Sequence, residues 1–160
     1  MAVDMFLKIE GVPGESADKS HKDEIDVLSW SWGMTQSGTT HTGTGGGAGK
    51  VNVRDVTITK YCDKASPVIM QACCSGKHFK EAKLTVRKAG ENPLEYLKIT
   101  MKDLLVSSVS TGGTMSDDRL TENVTLNFAE YKVEYTPQQA SGTGGGTVVA
   151  GWQIAQNVKL

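Results

Sequence analysis

The sequence predicts a mainly β fold, arranged as a sandwich or a barrel, with one short α-helix. Three observations lead to this fold class. Valine and threonine, which favour pleated and half-buried strands, occur 15 and 16 times among the 160 residues. Apolar and polar residues alternate with period two in several stretches. Turn-forming residues, among them many of the 18 glycines, separate these stretches.

Seven stretches carry the alternation of a half-buried strand. The predicted strands span residues 3–9, 28–34, 56–58, 82–86, 97–106, 124–135 and 148–158. The stretch 97–106 joins two apolar runs, which predicts one long strand with a bulge. In the stretch 124–135 the alternation changes phase at Ala129, which one extra residue in a second bulge would explain.

One segment, at about residues 66–76, has the pattern of a helix. Ser66 is predicted to be the N-cap, and Pro67 favours the first helical position. Apolar side chains follow at helical spacing, namely Ile69, Ala72 and Cys73. Gly76 is the residue type that ends a helix in the left-handed conformation, so the helix is predicted to stop there.

The length and charge of the chain exclude several classes of protein. A chain of 160 residues is expected to fold as one domain, 1–160, without a disulfide or a metal. The 17 basic and 18 acidic residues give a net charge of −1, which predicts no nucleic-acid partner. No apolar run approaches the roughly 18 residues of a membrane span. The N-terminus lacks the pattern of a secretory signal.

Two glycine-rich segments, residues 37–49 and 140–147, interrupt the strands and are predicted to be flexible. Gly43, Gly45 and Ala48 match a dinucleotide-binding pattern, but a strand follows them where that motif requires a helix. We therefore expect no nucleotide cofactor. A structureless loop as long as the first segment is often functional.

The side chains that usually carry catalysis or bind metals form no recognisable set. Cys62, Cys73 and Cys74 are expected to be reduced thiols, since a zinc site made from them and His78 would lack C-x-x-C spacing. The three histidines are not grouped, and no G-x-S-x-G motif occurs. The sequence therefore predicts no enzyme, no cofactor and no metal. A stand-alone β-sandwich module that binds a peptide or a sugar, and a small hydrolase, are the alternatives left open.

A series of motifs runs in a fixed order along most of the chain. They are VDMFLKIEGVPGES, DVLSWSWG, GKVNV after a glycine-rich loop, SPVIMQACCSGKHF, LLVSSVSTGG and RLTENVTLNFA. In order and spacing they resemble the haemolysin-coregulated protein (Hcp) family, the tube proteins of bacterial type VI secretion. The resemblance extends from Ala2 to about Tyr135 and resumes at GWQIAQNV near the C-terminus.

The resemblance implies a fold and a function. The implied fold is a compact β-barrel of two packed sheets with one flanking helix. The implied assembly is a six-membered ring of identical subunits, and the rings stack into the inner tube of the secretion machine. The implied partners are further copies of the chain, the spike protein at the tube tip, the sheath and baseplate, and small effector proteins carried and chaperoned in the lumen.

The resemblance also implies where the protein is found and what it lacks. Family members are cytoplasmic before firing and are then secreted without a cleaved signal peptide. They are not enzymes unless a toxin domain is fused to the C-terminus, and we expect no such domain in a chain that ends at Leu160.

Two candidate sites follow from the residues and the resemblance together. Alternation places Ser29, Ser31 and Gly33 opposite a predicted core face made of Leu28, Trp30, Trp32 and Met34. The resemblance implies that this opposite face lines the lumen and contacts cargo. It also implies that the first glycine-rich loop reaches the next ring, through Thr39, Thr40, His41, Thr42, Gly43, Thr44, Gly45, Gly46 and Gly47.

Overall fold

The fold is seen in a computed structural model, which describes residues 2–38, 49–139 and 144–160. Its elements, in chain order, are β1 (Val3–Ile9), β2 (Ile25–Asp26), β3 (Ser29–Ser31), β4 (Met34–Thr35), β5 (Asn52–Val53), β6 (Val56–Tyr61), α1 (Ala65–Ser75), β7 (His78–Lys88), β8 (Leu94–Gly112), β9 (Thr121–Tyr135), β10 (Val148–Gln153) and β11 (Val158–Lys159). The predicted mainly β class with one short helix is therefore confirmed.

The strands pair in antiparallel fashion, and most of them belong to one sheet of nine strands. Hydrogen-bonded neighbours follow the order β11-β10-β9-β8-β7-β1-β2. The sheet branches at β9, because residues 121–126 pair with β6 whereas residues 130–135 pair with β10. β6 also pairs with β3, and β4 and β5 form a second, two-stranded sheet. A closed barrel stays a prediction.

The long hairpin of β8 and β9 contains the main irregularities of the sheet. The single strand predicted over residues 97–106 is confirmed within the 19-residue β8. Its buried positions change phase at Asp103, whose φ of 51° is left-handed, and its register against β9 shifts between Val106 and Ser108. The bulge predicted at Ala129 is wrong, since the register against β8 is unchanged across that residue. The buried positions of β8 and β9 change phase at residues that lie opposite each other, so the register between the two strands is kept.

The core lies between the inward faces of these strands and one side of α1. Alternate residues of β6 and of residues 121–128 in β9 are buried, as the period-two pattern predicts. The helix contributes Ile69 and Ala72, also as predicted. The largest apolar side chains that are fully buried are Leu7, Ile25, Ile58, Ile69, Leu84, Ile99, Met101, Leu104 and Leu126.

Several strands are longer or shorter than predicted, and two boundaries differ in a way that changes the local structure. The last strand ends at Gln153, and Val158 belongs to β11, which folds back onto β10. The helix begins at Ala65, so Ser66 lies inside its first turn and is not the N-cap. Asp63 takes the capping role instead, since its Oδ1 accepts a hydrogen bond from the Ala65 N–H at 2.9 Å. The predicted stop is confirmed, because Gly76 has a left-handed φ of 68°.

A buried ionic cluster joins the start of the helix to the sheet. Lys60 on β6 and Glu122 on β9 are register partners, and both side chains have no solvent exposure. The Lys60 ammonium donates to Glu122, to Asp63 at 2.9 Å and to the Ser66 hydroxyl at 3.0 Å. Ser66 in turn donates to Glu122 at 2.6 Å. The cluster therefore fixes the first turn of α1 against β6 and β9.

A loop of residues 13–24 covers the side of β1 that faces away from the core. Arg87 on β7 holds this loop, because its guanidinium donates to the two carboxylate oxygens of Asp18 at 3.1 and 2.6 Å and to Asp4 at 3.0 Å. The hydrogen bonds from Arg87 lower the pKa of Asp18 to about 2. The same bonds raise the pKa of Arg87 above its ordinary value.

Acid is expected to weaken this attachment. Because the pKa of Asp18 is lowered, its contribution to stability is complete above the ordinary value of 3.8 and is lost as the pH falls towards about 2. Unfolding of the wild type and of Asp18→Asn should be compared between about pH 5 and pH 2. We expect the wild type to lose stability more steeply over that range. Parallel loss in the two proteins would contradict the assignment.

Candidate functional site

The predicted cargo-facing serines lie on β3 with their side chains exposed. Ser29 and Ser31 flank Trp30, which packs against the core, as the alternation predicts. Gly33 lies beyond the end of β3 and is half-buried; its carbonyl accepts a hydrogen bond from the Arg54 N–H at 2.9 Å. A lumen-lining role for these residues stays a prediction, and only the two serines belong to the strand itself.

The core face predicted for this segment is only partly correct. Trp30 and Trp32 pack against the core, but Leu28 and Met34 are 40% and 44% exposed. The reason is that β3 spans only Ser29–Ser31, so the alternation reaches neither back to residue 28 nor on to residue 34. Trp32 is held separately, since its indole N–H donates to the Arg54 carbonyl at 2.8 Å and its ring meets Tyr131 edge-on at 4.8 Å.

The strand register extends the two serines into two rows of small polar residues. One row runs Ser31–Thr57–Thr125–Ser108, and the other runs Ser29–Thr59–Asn123–Ser110. We call these eight residues the hydroxyl face. Every member is exposed or half-buried, and none can ionise.

Hydrogen bonds between neighbouring strands order this face. Thr57 and Thr125 share a hydroxyl–hydroxyl contact of 3.3 Å, and the Thr59 hydroxyl donates to the Asn123 amide oxygen at 2.7 Å. A carboxylate closes one end, because Asp55 accepts from the side chains of Ser107 and Asn127 at 2.8 Å each. The face can therefore offer many weak, neutral hydrogen bonds to a surface beside it, but no fixed charge.

The other six members of the hydroxyl face were not identified from the sequence. The polar side chains of β6 and β9 among them alternate with buried residues, so their outward direction could be predicted from each strand alone; they are Thr57, Thr59, Asn123 and Thr125. Their position beside Ser29 and Ser31 depends on which strands pair, and pairing between distant strands is not visible in local patterns.

The predicted ring-stacking loop lies outside the described residues. All nine of its residues, Thr39 to Gly47, fall in the range 39–48, and residues 140–143 of the second glycine-rich segment also lie outside. The predicted flexibility of both segments stays a prediction.

Other candidate chemistry is sparse in the ranges 2–38, 49–139 and 144–160. No group of three or more His, Cys, Asp or Glu side chains there could hold a metal ion. The three cysteines form no disulfide in the structure; only Cys73 is half-buried, whereas Cys62 and Cys74 are exposed. The one helix among the described residues is too short to cross a membrane.

The start of β10 is an exposed apolar strand edge. Val148 and Val149 are 67% and 55% exposed, although successive residues of a strand point to opposite faces. On the outer side of β10, β11 pairs only with Trp152 and Gln153. Residues 148–150 therefore have no strand on that side within the described part of the chain. An exposed apolar edge of this kind is a template for pairing with another chain.

Comparison with known proteins identifies the family. The family model described as "Type VI secretion system effector, Hcp" matches residues 6–135. Protein hcp1 of Pseudomonas aeruginosa is 65% identical over 161 residues, which cover 99% of both chains. Among solved structures, Hcp1 from Salmonella typhimurium is 45% identical with a TM-score of 0.85 over 100% of both chains. Another structure of a type six secretion system protein is 31% identical with a TM-score of 0.94, covering 99% of this chain and 100% of the other. The chain therefore belongs to the Hcp family of type VI secretion proteins.

Proposed function

We propose that the chain is the structural tube subunit of a type VI secretion system, forming hexameric rings that stack into the inner tube and carry effector proteins. Two features of the described residues support this most directly: the apolar strand edge at the start of β10 lies open, and the separate hydroxyl face has no member that can ionise. The first suits contact between identical subunits, and the second suits a wall along which cargo moves.

Self-association follows from the open edge. A free edge that exposes Val148 and Val149 is a hazard in a monomer, because it can pair with strands of other molecules. A head-to-tail contact between two different surfaces of identical subunits covers such an edge and closes into a ring when the rotation allows. Six copies is the number that the family resemblance implies.

Cargo carriage follows from the hydroxyl face. Each hydroxyl or amide there contributes a weak contact that does not depend on charge, so different effectors can be held and later released. Around a ring the same face would occur six times, and simultaneous weak contacts raise the apparent affinity well above that of one. A neutral wall also avoids trapping cargo of either charge sign.

The remaining parts of the proposal rest on family membership. The stacking contact is assigned to residues 39–47, and further partners are the spike protein, the sheath and baseplate. The chain acts as a carrier and chaperone for effectors rather than as an enzyme. It is made in the cytoplasm and is exported with the tube without a cleaved signal peptide.

Negative-stain electron microscopy of the purified chain tests the assembly. We expect ring-shaped particles with a central hole. Small solid particles at micromolar concentration would contradict the proposal and favour a stand-alone binding module.

A bulky residue on the hydroxyl face is expected to disturb cargo but not assembly. In Ser31→Gln the longer side chain would project from the exposed side of β3, away from the core packing of Trp30. Losing a weak contact in six copies should reduce retention of a co-produced effector by about tenfold or more. The measurement is co-purification of effector with rings of unchanged size. Ser75→Gln, at the exposed end of α1, is the matched control and should retain cargo. Equal retention by both variants would place the cargo site elsewhere.

A further inference from the structure

The loop of residues 13–24 covers an aromatic side chain that points away from the core. Phe6 is only 4% exposed although it alternates with the core residues of β1. His21 stacks on its ring with a centroid distance of 4.3 Å and an interplanar angle of 10°. The Arg87 guanidinium also lies over the same ring, at 5.1 Å. Detachment of the loop would expose this phenylalanine.

His21 is bound at both ring nitrogens by carboxylates. Its Nδ1 lies 2.7 Å from an oxygen of Glu24 in the same loop, and its Nε2 lies 2.6 Å from an oxygen of Glu95 on β8. Ionised carboxylates only accept hydrogen bonds, whereas a neutral imidazole has a single N–H to donate. Two hydrogen bonds of this kind therefore require one additional proton in the cluster of His21, Glu24 and Glu95.

We propose that residues 13–24 form a proton-operated latch, in which the His21–Glu24–Glu95 cluster holds one proton more when the loop is docked than when it is detached. Raising the pH removes that proton, releases the loop from β8 and uncovers Phe6. This inference concerns the protomer itself and does not depend on the proposed function.

Charges of both signs surround the cluster. The cations include Arg87 from β7 and Lys98 from β8, which lies 3.3 Å from Glu95. Lys8 from β1 and the loop residues Lys19 and Lys22 line one pocket with Glu24. Beside the two glutamates of the cluster, the carboxylates include Asp4 from β1 and Asp18 from the loop. Both of these aspartates are bound to Arg87, which offsets the charge of that guanidinium.

The pKa of Glu95, the glutamate on β8, is lowered, as its hydrogen bond to His21 requires. Burial raises the pKa of Glu95, but hydrogen bonds from His21 and Lys98 outweigh burial, so that the net pKa lies below its ordinary value of 4.5. Glu95 thus stays ionised and available as an acceptor until the solution is distinctly acidic.

The sign of the pH dependence follows from proton counting. Below about pH 6.5 a free histidine side chain is itself protonated, so docking takes up no extra proton and the latch is at full strength. Above that pH docking must bind a proton from solution, and the equilibrium constant for docking falls by up to tenfold per pH unit. The loop is expected to move as a unit, since internal bonds such as Gly14 N–H to the Asp23 carbonyl, at 2.7 Å, do not involve the cluster.

Hydrogen exchange of the full-length protein tests the latch. Protection factors of residues 13–24, corrected for intrinsic exchange, should be compared between about pH 6 and pH 9 in the wild type and in Glu95→Gln. The glutamine amide can donate to Nε2, so that variant needs no additional proton to dock the loop. We expect protection in the wild type to fall by up to tenfold per pH unit above a midpoint, and protection in the variant to stay constant.

Two results would overturn the latch: wild-type protection that does not change with pH, or an equal fall in the wild type and the variant. Peptides from β8 and β9 report in the same experiment that the sheet stays folded. In Glu24→Gln an amide that can donate to Nδ1 replaces a carboxylate that can only accept, so this variant should also lose the pH dependence. It serves as the test variant if Glu95→Gln misfolds.

Discussion

Replacing Lys60 with methionine is expected to lower the free energy of unfolding by about 3–5 kcal/mol, the largest effect of any single change considered for this chain. Lys60 and Glu122 have no solvent exposure, and Lys60 is the only cation in hydrogen-bond contact with Glu122 among the described residues. Without it, the Glu122 carboxylate is left buried with one hydroxyl donor, from Ser66. The loss also removes the link between β6 and the first turn of α1.

Urea unfolding of the variant, followed by circular dichroism, measures this effect. Lys132→Met is the matched control, because Lys132 pairs with Glu134 at 2.9 Å but is 48% exposed, and its loss should have little effect. Replacing both buried charges, as in Lys60→Met with Glu122→Leu, should recover much of the stability, since an apolar pair leaves no uncompensated charge. A Lys60→Met protein as stable as the control would show that the buried cluster does not stabilise the contact between α1 and the sheet.

A charge on the open edge of β10 is expected to prevent ring formation. In the double variant Val148→Asp and Val149→Asp, two carboxylates replace the most exposed apolar residues of the strand. If a neighbouring subunit covers them, each must lose water without gaining a partner, at every one of six interfaces. The mass in solution should then fall from that of a hexamer to that of a monomer, with the fold retained.

Met115→Asp is the control for this edge variant. Met115 is fully exposed in the loop between β8 and β9, so it is an apolar residue with no strand edge beside it. We expect this control to assemble normally. Normal rings from the β10 double variant would show that this strand edge is not part of the interface between subunits.

Period-two alternation was enough to predict the long strands, because one side of each strand is buried and the other is not. It also placed Trp30 inward and Ser31 outward. It failed at Leu28 and Met34, because β3 has only three residues and the chain turns on either side of it. The helix end at Gly76 was predictable since it depends on one residue type, whereas its start depends on Asp63, which lies before the helical pattern.

The buried ionic pair of Lys60 and Glu122 has a recognisable pattern in the sequence. Lys60 occupies the same phase as Val56 and Ile58, and Glu122 the same phase as Val124 and Leu126. Opposite charges on the core side of two strands indicate a buried pair. The contacts of His21 had no such signal, because they join a loop to residues as far as Glu95 and depend on how the loop folds over β1.

The mass of the purified chain in solution tests the central claim most directly. Multi-angle light scattering after size-exclusion chromatography, at micromolar concentration and physiological salt, should give a mass of about six times 17.1 kDa. A single species near 17.1 kDa would contradict the claim that this protein forms a hexameric tube subunit.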